Sequence, residues 1–304
     1  MVPSSDIVFT SFIGDALALG PHWIYHQKEL RQKFGHIMGY LPPATAYHVG
    51  RKAGDFTHYG DQTLLVLRSI AELGRFDLPH FAAMWRAFWE DGETVSYRDG
   101  ATKTTLRHLQ SGMALESAAS DSADLAGSAR IAPLFLLKWE NDACLFSAAR
   151  ALTAFTHSDP AVIEAAEFFA RLTLDVQRGA SIPQALEKTA RLPHWNAIPI
   201  EWITAARLSN ESPRSDAEAL NDHGLTCHIP DAFTGVCHLL LRHPEAPATA
   251  LTENINAGGD SAARGMILGL VYGAAFPVST LPAAWLSELN AREEISEFIG
   301  KLTR

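Results

Sequence analysis

The 304-residue sequence contains little cysteine, which limits the kind of protein it can encode. Its three cysteines, Cys144, Cys227 and Cys237, are an odd number in a long chain, which argues against a disulfide framework and favours free, buried thiols in a reducing compartment. Histidine follows two of them, as Cys227-His228 and Cys237-His238, but this spacing matches no common zinc finger or ribbon. We therefore expect no structural zinc site.

The chain also lacks an excess of basic charge and a long apolar run. Its 25 Lys and Arg against 34 Asp and Glu give a net charge of −9, whereas nucleic-acid surfaces carry excess cations that displace phosphate counterions. The longest apolar run, Met266–Val278, is interrupted by Gly and Pro and is too short to span a bilayer. The N-terminal stretch does not resemble a secretory signal. We expect a cytoplasmic protein with no nucleic-acid or membrane partner.

What the sequence has is enough apolar side chain for a large core. Apolar residues make up 47% of the chain and charged residues 19%, and no Pro-, Gly- or Ser-rich linker divides it. Apolar residues recur at helical spacing in most segments, whereas the alternation typical of strands is nowhere sustained. The sequence therefore predicts one all-α domain over residues 1–304, closed by one or two amphipathic helices between Ala283 and Arg304.

One stretch, Glu253–Phe276, joins a Gly-Gly-Asp turn to a helix of small residues. Gly258 and Gly259 permit backbone conformations that a side chain forbids, and Asp260 is placed to cap the following helix. Three further glycines recur every four residues on one face of that helix: Gly265, Gly269 and Gly273. A neighbouring helix can approach this face closely. Because each glycine lowers helix propensity by about 1 kcal/mol relative to alanine, the helix should be stable only in the middle of a bundle.

The segment Phe12–Tyr25 predicts a short buried helix that ends near Gly20-Pro21. It carries Asp15 among apolar residues, where a carboxylate needs a partner or a site. Three aromatic residues follow the predicted helix end: His22, Trp23 and Tyr25. They form either an aromatic plug around a hydrogen-bonded histidine or a pocket wall that stacks on a flat ligand, and the segment alone favours the plug.

A second Gly-Asp pair, Gly60-Asp61, begins another predicted helix. It follows an irregular segment, Gln32–Thr57, which Gly and Pro residues break repeatedly. A loop of this length in a compact domain is often functional or lid-like. Further along, Thr156–Pro160 predicts a helix start that Ser158 or Asp159 caps.

Together, four motifs resemble the ADP-ribosylglycohydrolase family in order and spacing over about residues 12–276: Gly14-Asp15, Gly60-Asp61-Gln62-Thr63, Thr156–Pro160 and Gly258-Gly259-Asp260. The run Gly127–Leu134 also resembles the family's middle motif. The resemblance implies a compact, orthogonal bundle of helices with a cleft for ADP-ribose. In active members a pair of Mg²⁺ or Mn²⁺ ions helps water to attack the N- or O-glycosidic bond at the ribose anomeric carbon.

The sequence departs from the family's metal motifs, which are Thr-Asp-Asp-Thr early and Gly-Gly-Asp-Thr-Asp-Thr late, with a glutamate after the first Gly-Asp. Here each motif keeps one of its two carboxylates, Asp61 in the early motif and Asp260 in the late one. His22 occupies the position of the glutamate. Hard divalent ions need several oxygen ligands, so the departures predict at most one Mg²⁺ or Mn²⁺, with Thr63 and Ser261 as further ligands, or no metal. The runs His22–Tyr25 and Asp260–Arg264 look more like the branch that includes J-type crystallins and selenoprotein J than like the arginine or serine ADP-ribose hydrolases.

Arg264 offers another source of positive charge. It lies four residues after Asp260 on the same predicted helix and can reach back to that carboxylate. We hypothesise that its guanidinium replaces the metal charge beside Asp61 and Asp260 and binds a phosphate or ribose. The alternative is an ordinary surface Asp–Arg pair, which contributes little to stability.

The resemblance predicts a hydrolase that cleaves a glycosidic bond at the ribose of an ADP-ribosyl or related nucleoside-type substrate. Asp61 or Asp260 would orient or deprotonate the attacking water, and His22 would transfer protons near neutral pH. The predicted substrate-binding residues are Asp15, Trp23, Tyr25, Tyr59, Gln62, His157, Gly258, Gly259 and Arg264. The alternative is an inactive member of the family that binds a nucleotide-like ligand or serves a structural, crystallin-like role.

Overall fold

The computed structural model describes residues 2–92 and 96–302, and within these ranges it contains sixteen α-helices and no strand. The helices are α1 (Ser4–Ala18), α2 (Gln27–Phe34), α3 (His58–Leu73), α4 (Leu78–Glu90), α5 (Gly100–Gln110), α6 (Ala126–Ala129), α7 (Asp142–Ala154), α8 (Pro160–Gln177), α9 (Ile182–Ala190), α10 (Ile200–Glu211), α11 (Asp216–His223), α12 (Ile229–Arg242), α13 (Pro247–Ala257), α14 (Ser261–Ala275), α15 (Ala283–Ser287) and α16 (Arg292–Leu302). The all-α prediction is confirmed. The last two residues of the predicted closing segment, 303 and 304, lie outside the described ranges.

Helix α14 lies in the middle of the bundle, where it contacts α1, α8, α12 and α13. Of its 15 residues, 14 are buried. Its three glycines face α1: a Cβ atom added to Gly265, Gly269 or Gly273 would come within 2.5, 2.2 or 2.5 Å of a backbone oxygen of that helix. The close approach predicted from the glycine spacing is therefore confirmed. Across the described part of the chain, no helix combines the length and apolarity needed to cross a membrane.

Asp15 connects α1 to the start of α3. Its carboxylate accepts hydrogen bonds from the backbone N of Thr57 at 2.8 Å and from the Thr57 hydroxyl at 2.5 Å. The Thr57 hydroxyl in turn accepts from the Tyr59 N–H and caps α3, which begins at His58, ahead of the predicted Gly60-Asp61 start. Only glycine fits at position 60, because a Cβ there would lie 2.4 Å from an Asp15 oxygen. Asp15 is thus a structural residue at full burial.

The Gly-Gly-Asp turn before α14 is fixed to two other segments. Gly258 and Gly259 have φ values of 79° and 69°, which favour glycine. The Gly259 N–H donates to the Ile24 carbonyl at 2.8 Å, and the Trp23 N–H donates back to the Gly259 carbonyl at 2.9 Å. The Asp260 N–H donates to the Leu225 carbonyl at 2.9 Å. These bonds hold the aromatic segment after α1 directly against the turn.

Candidate functional site

A cavity of about 730 Å³ opens beside the Gly-Gly-Asp turn, a size typical of small-molecule sites. Five aromatic residues line it: Trp23, Tyr25, Tyr47, Tyr59 and Tyr97. Four carboxylates also line it: Asp99, Asp121, Asp124 and Asp260. Among the described residues of its wall there is no Lys or Arg. We call this space the aromatic cavity.

Asp260 presents one carboxylate oxygen that is already bound and one that is not. Its Oδ2 accepts from the Trp23 indole N–H at 3.0 Å and from the Tyr59 hydroxyl at 3.2 Å. Its Oδ1 is buried and has no hydrogen-bond partner in the described part of the chain. Burial raises the pKa of Asp260, while the Trp23 bond and the charge of Arg264 act in the opposite direction. The residue stands at the cap position of α14, but contrary to prediction its side chain makes no capping bond.

Trp23 forms part of the cavity wall in an unusual backbone conformation. Its φ of 66° makes it the one non-glycine residue with positive φ in the described ranges. Such a conformation costs about 1–3 kcal/mol and persists only where neighbours impose it. Here the backbone bond to Gly259 and the indole bond to Asp260 impose it. The indole ring meets Tyr47 and Tyr97 edge to face, with centroids 4.8 and 5.1 Å away.

A chain of buried polar contacts leads from Asp99 into the protein. Asp99 caps α5 through Oδ1, which accepts from the Thr102 N–H at 2.6 Å. Its Oδ2 lies 3.2 Å from Nε2 of His58, at ion-pair distance but outside hydrogen-bond geometry. Nδ1 of His58 lies 3.2 Å from Nε2 of His48. Burial alone would raise the pKa of Asp99, but the His58 ring and the Thr102 N–H outweigh it and hold that pKa below its ordinary value.

Asp124 is positioned by a second buried network. His157 Nε2 lies 2.9 Å from its Oδ1, and this contact holds the pKa of Asp124 below its ordinary value against the opposing effect of burial. His157 also contacts the Thr156 hydroxyl through Nδ1. Gln62 lies deeper, where its amide oxygen accepts from Trp85 and Arg130. His157 and Gln62 therefore support the cavity from behind and do not line it.

Asp61 and Asp260 do not line the same cavity, which differs from the predicted catalytic pair. Asp61 is paired with the guanidinium of Arg51 and accepts a hydrogen bond from the Ser96 hydroxyl at 2.6 Å. Burial raises the pKa of Asp61 to about 6, although Arg51 and Ser96 both act to lower it. The side chain is thus already neutralised by another part of the chain.

The residues predicted as metal ligands do not fit a divalent ion. An ion needs several free oxygen atoms, but Asp61 is bound by Arg51, and the Thr63 hydroxyl donates to the Tyr59 carbonyl at 2.9 Å. The Ser261 hydroxyl is buried without a partner, which leaves it and one Asp260 oxygen as the remaining predicted donors. No cluster of three or more His, Cys, Asp or Glu suited to a metal occurs in residues 2–92 and 96–302.

Among the described residues Arg264 makes no ion pair within 4 Å with Asp260, although its charge acts to lower the pKa of that carboxyl. Arg264 is 1% exposed, so it is not a surface residue either. Its Nε donates to Asn254 at 2.9 Å and its Nη2 donates to the Gly258 carbonyl at 2.6 Å. The carbonyl at the end of α13 needs a donor, and the guanidinium supplies it. Arg264 therefore fixes the turn, and Arg51 is the arginine that pairs with a motif carboxylate.

Three of the predicted binding residues, Trp23, Tyr25 and Tyr59, line the aromatic cavity. His22 does not: it is fully buried, its ring lies 4.4 Å from that of Trp23, and burial lowers its pKa well below the ordinary value. The remaining predicted binding residues do not line it: Asp15, Gln62, His157, Gly258, Gly259 and Arg264.

Among the aromatic and acidic residues that line the cavity, sequence reasoning missed five: Tyr47, Tyr97, Asp99, Asp121 and Asp124. Only Tyr47 had a signal, since it lies in the long segment predicted to be functional. Asp99 precedes a helix and reads as an ordinary cap, and Asp124 lies in a polar loop.

Comparison with known proteins gives one consistent result. The family model described as ADP-ribosylglycohydrolase matches residues 6–304. Crystallin J1A of Tripedalia cystophora is 21% identical, covering 97% of this chain and 94% of its own length. ADP-ribosyl-[dinitrogen reductase] glycohydrolase of Rhodospirillum rubrum is 22% identical over 80% of this chain and 76% of its own. A solved ADP-ribosylglycohydrolase-related protein complex has the same fold, with a TM-score of 0.76, 22% identity and coverage of 98% of this chain and 97% of that one.

Proposed function

The chain belongs to the ADP-ribosylglycohydrolase family, and from this premise we propose that it hydrolyses a glycosidic bond at the ribose of an ADP-ribosyl or related nucleoside-type substrate. The relative from Rhodospirillum rubrum, named as a glycohydrolase, supports this reaction class. The observation that carries the proposal is the unpartnered Oδ1 of Asp260 in the wall of a ligand-sized cavity. A buried carboxylate oxygen without a partner is costly, so a ligand or water is expected to satisfy it.

The aromatic residues supply the binding surface for a flat base. Trp23 and Tyr25 offer ring faces and edges near the mouth, where Tyr25 is 42% exposed. Tyr59 lies deeper, is buried, and already donates its hydroxyl to Asp260. A base that stacks on the exposed Tyr25 would leave the ribose whose bond is cleaved to reach toward the buried Asp260.

Asp260 is proposed as the group that orients and deprotonates water. Its raised pKa makes it a stronger base than an exposed aspartate, and no described residue uses the hydrogen-bond acceptor at its Oδ1. Oδ2 remains held by Trp23 and Tyr59, which fixes the direction of the carboxylate. Asp99, whose pKa is held below its ordinary value, is ionised near neutral pH and is proposed to stabilise the positive charge that develops on the ribose as the glycosidic bond breaks. His22 and Asp61 have no place in this scheme because neither lines the cavity.

No step is assigned to a metal. Glycohydrolases of this family are typically metal-dependent, with Mg²⁺ or Mn²⁺ as the expected ions, but the motif residues of this chain do not fit such a site. The charge that an ion would bring to Asp61 is supplied by Arg51.

The proposal is tested with Asp260→Asn, which keeps the size of the side chain and removes its basicity. We expect the variant to keep its circular dichroism spectrum and to lose release of ADP-ribose from ADP-ribosylated protein. Asp222→Asn is the matched control, because Asp222 is a half-exposed surface residue that pairs with Arg214. Undiminished turnover by Asp260→Asn would show that the assigned role is wrong.

A second candidate is an inactive protein that keeps the cavity for binding or has a structural role. The ion pair of Arg51 with Asp61 favours this candidate, and so does the similarity to Crystallin J1A. Calorimetric titration with ADP-ribose, with and without Mg²⁺, together with the turnover assay, separates the two candidates. Binding without turnover on any ADP-ribosylated protein tested would favour the second candidate, and turnover would exclude it.

A further inference from the structure

A second cavity, of about 280 Å³, adjoins the aromatic cavity. The two share Tyr47 and Tyr97, whose rings meet edge to face with centroids 5.5 Å apart. Three cationic side chains line the second cavity: Arg51, Arg98 and Lys103. We call this space the basic cavity. No carboxylate is among the described residues of its wall.

Of the three cationic side chains in the basic cavity, only one is paired with a carboxylate of the described residues. Arg51 is balanced by Asp61. Arg98 donates to the Trp89 carbonyl, and the Lys103 ammonium lies 5.5 Å from the centre of the Tyr97 ring. Neither of these two has a carboxylate partner in the part of the chain that the structure describes. Within the described ranges, two cations of this wall therefore lack a carboxylate partner, in a chain whose formal net charge is −9.

His48, at the inner wall, does not alter this balance. It is 3% exposed, and burial lowers its pKa to about 3, with His58 and Arg51 adding to the effect. It is therefore neutral near pH 7 and offers a ring nitrogen and no charge. The Ser96 hydroxyl is already committed to Asp61.

The aromatic cavity has the opposite charge. Four aspartates and no cationic side chain are among its described lining residues, so a phosphate placed there would be repelled. A nucleotide-like ligand can avoid this repulsion if its ring lies in the aromatic cavity and its phosphate lies on the far side of the two shared tyrosines. Guanidinium and ammonium groups are well matched to phosphate oxygens.

We propose that the basic cavity is a phosphate subsite, in which Arg98 and Lys103, with the outer face of Arg51, bind a phosphate group of the ligand whose ring occupies the aromatic cavity. The identity of that ligand rests on the proposed function, whereas the phosphate chemistry rests on the basic cavity alone. A free phosphate ion has the same chemistry and would bind the same three side chains.

The test is calorimetric titration of inorganic phosphate and of ADP-ribose into the wild-type protein and into Arg98→Gln and Lys103→Gln. Each variant should weaken binding roughly tenfold, as expected for one lost charged hydrogen bond. Lys52→Gln is the matched control, since Lys52 is an exposed residue beside Arg51 that does not line the cavity. Affinity in the control should equal that of the wild type.

The pattern across ligands identifies the source of the phosphate. Weaker binding of ADP-ribose in both variants supports a substrate phosphate, whereas weaker binding of inorganic phosphate alone supports a site for the free ion. Unchanged affinities for both ligands in both variants would overturn the proposal, as would a wild-type protein that binds neither. Asp260→Asn separates the proposed catalytic function from the proposed phosphate subsite. It should abolish turnover and leave phosphate binding intact, so the catalytic proposal can fail while the subsite proposal stands.

Discussion

Replacing Gly269 with alanine tests the packing on which the position of Asp260 depends. The added Cβ would lie 2.2 Å from the Thr10 carbonyl oxygen and 2.7 Å from the Ser11 Cα. These distances are about 1.3 Å and about 0.8 Å shorter than the separation of about 3.5 Å at which such atoms attract. The obstacles are backbone atoms of α1, so no side chain can rotate away and the two helices must separate.

The expected loss of stability follows from two opposing effects. Overpacking of a core costs about 1–3 kcal/mol, and the rigid obstacle puts Gly269→Ala at the upper end. Alanine regains about 1 kcal/mol of helix propensity. The net loss is about 2 kcal/mol, which for a protein of this size lowers the melting temperature by about 3 °C.

Gly300→Ala in α16 is the matched control. No heavy atom of residues 2–92 or 96–302 lies within 4 Å of a Cβ added there, so the propensity effect is expected to dominate and stability should rise by up to about 1 kcal/mol. Urea unfolding followed by circular dichroism measures both variants. If Gly269→Ala were as stable as the wild type while Gly300→Ala behaved as expected, the close packing of α1 and α14 would not be the constraint that we infer.

Three further predictions concern metal, protons and thiols. Because Arg51 occupies Asp61, EDTA should leave ADP-ribose binding unchanged in calorimetry, and a requirement for added Mg²⁺ would contradict the donor assignment. Burial raises the pKa of Asp15 from 3.8 to about 7, so the folded state binds more protons than the unfolded state between these values and stability falls as pH rises through them. Asp15→Asn should therefore lose less stability in urea unfolding between about pH 4 and about pH 7 than the wild type, and equal losses would contradict the shift. Cys227 lines the aromatic cavity and burial raises its pKa to about 12, so alkylation should be slow near neutral pH and slower still with ligand bound, as mass spectrometry of the labelled peptide can measure; labelling that ligand does not slow would place the ligand elsewhere.

The sequence predicted those parts of the fold that depend on local spacing. The glycine repeat of α14 and the Asp159 cap of α8 are both present, the latter as hydrogen bonds from two backbone N–H groups to one carboxylate oxygen. Helix starts were predicted less accurately than helix packing: α1 begins at Ser4, eight residues before the predicted segment. Its first turns contain Ser and Thr residues, whose weak helix preference is overcome by packing against α14.

The site was predicted only in part, because its contacts cross long stretches of chain. The spacing of Asp260 and Arg264 suggested an ion pair. In the structure the guanidinium instead donates to the Gly258 carbonyl, which has no partner within its helix. The partner that Asp61 does have, Arg51, comes from an irregular loop, where no periodic pattern relates a residue to its contacts. Asp99 could not be recognised as a site residue from the sequence, because an aspartate before a helix is already explained as a cap. In the structure the same residue both caps α5 and lines the cavity.

The left-handed backbone of Trp23 sets stability against recognition at one position. Glycine there would relieve a strain of about 1–3 kcal/mol, so selection for heat resistance alone would favour Trp23→Gly. The same change would remove both the ring that forms the cavity wall and the indole N–H that holds Asp260. A library screened for thermostability without a ligand should therefore accumulate changes at Trp23 that a library screened for binding would reject. The difference in substitutions at Trp23 between the two libraries would show that stability is given up for the site.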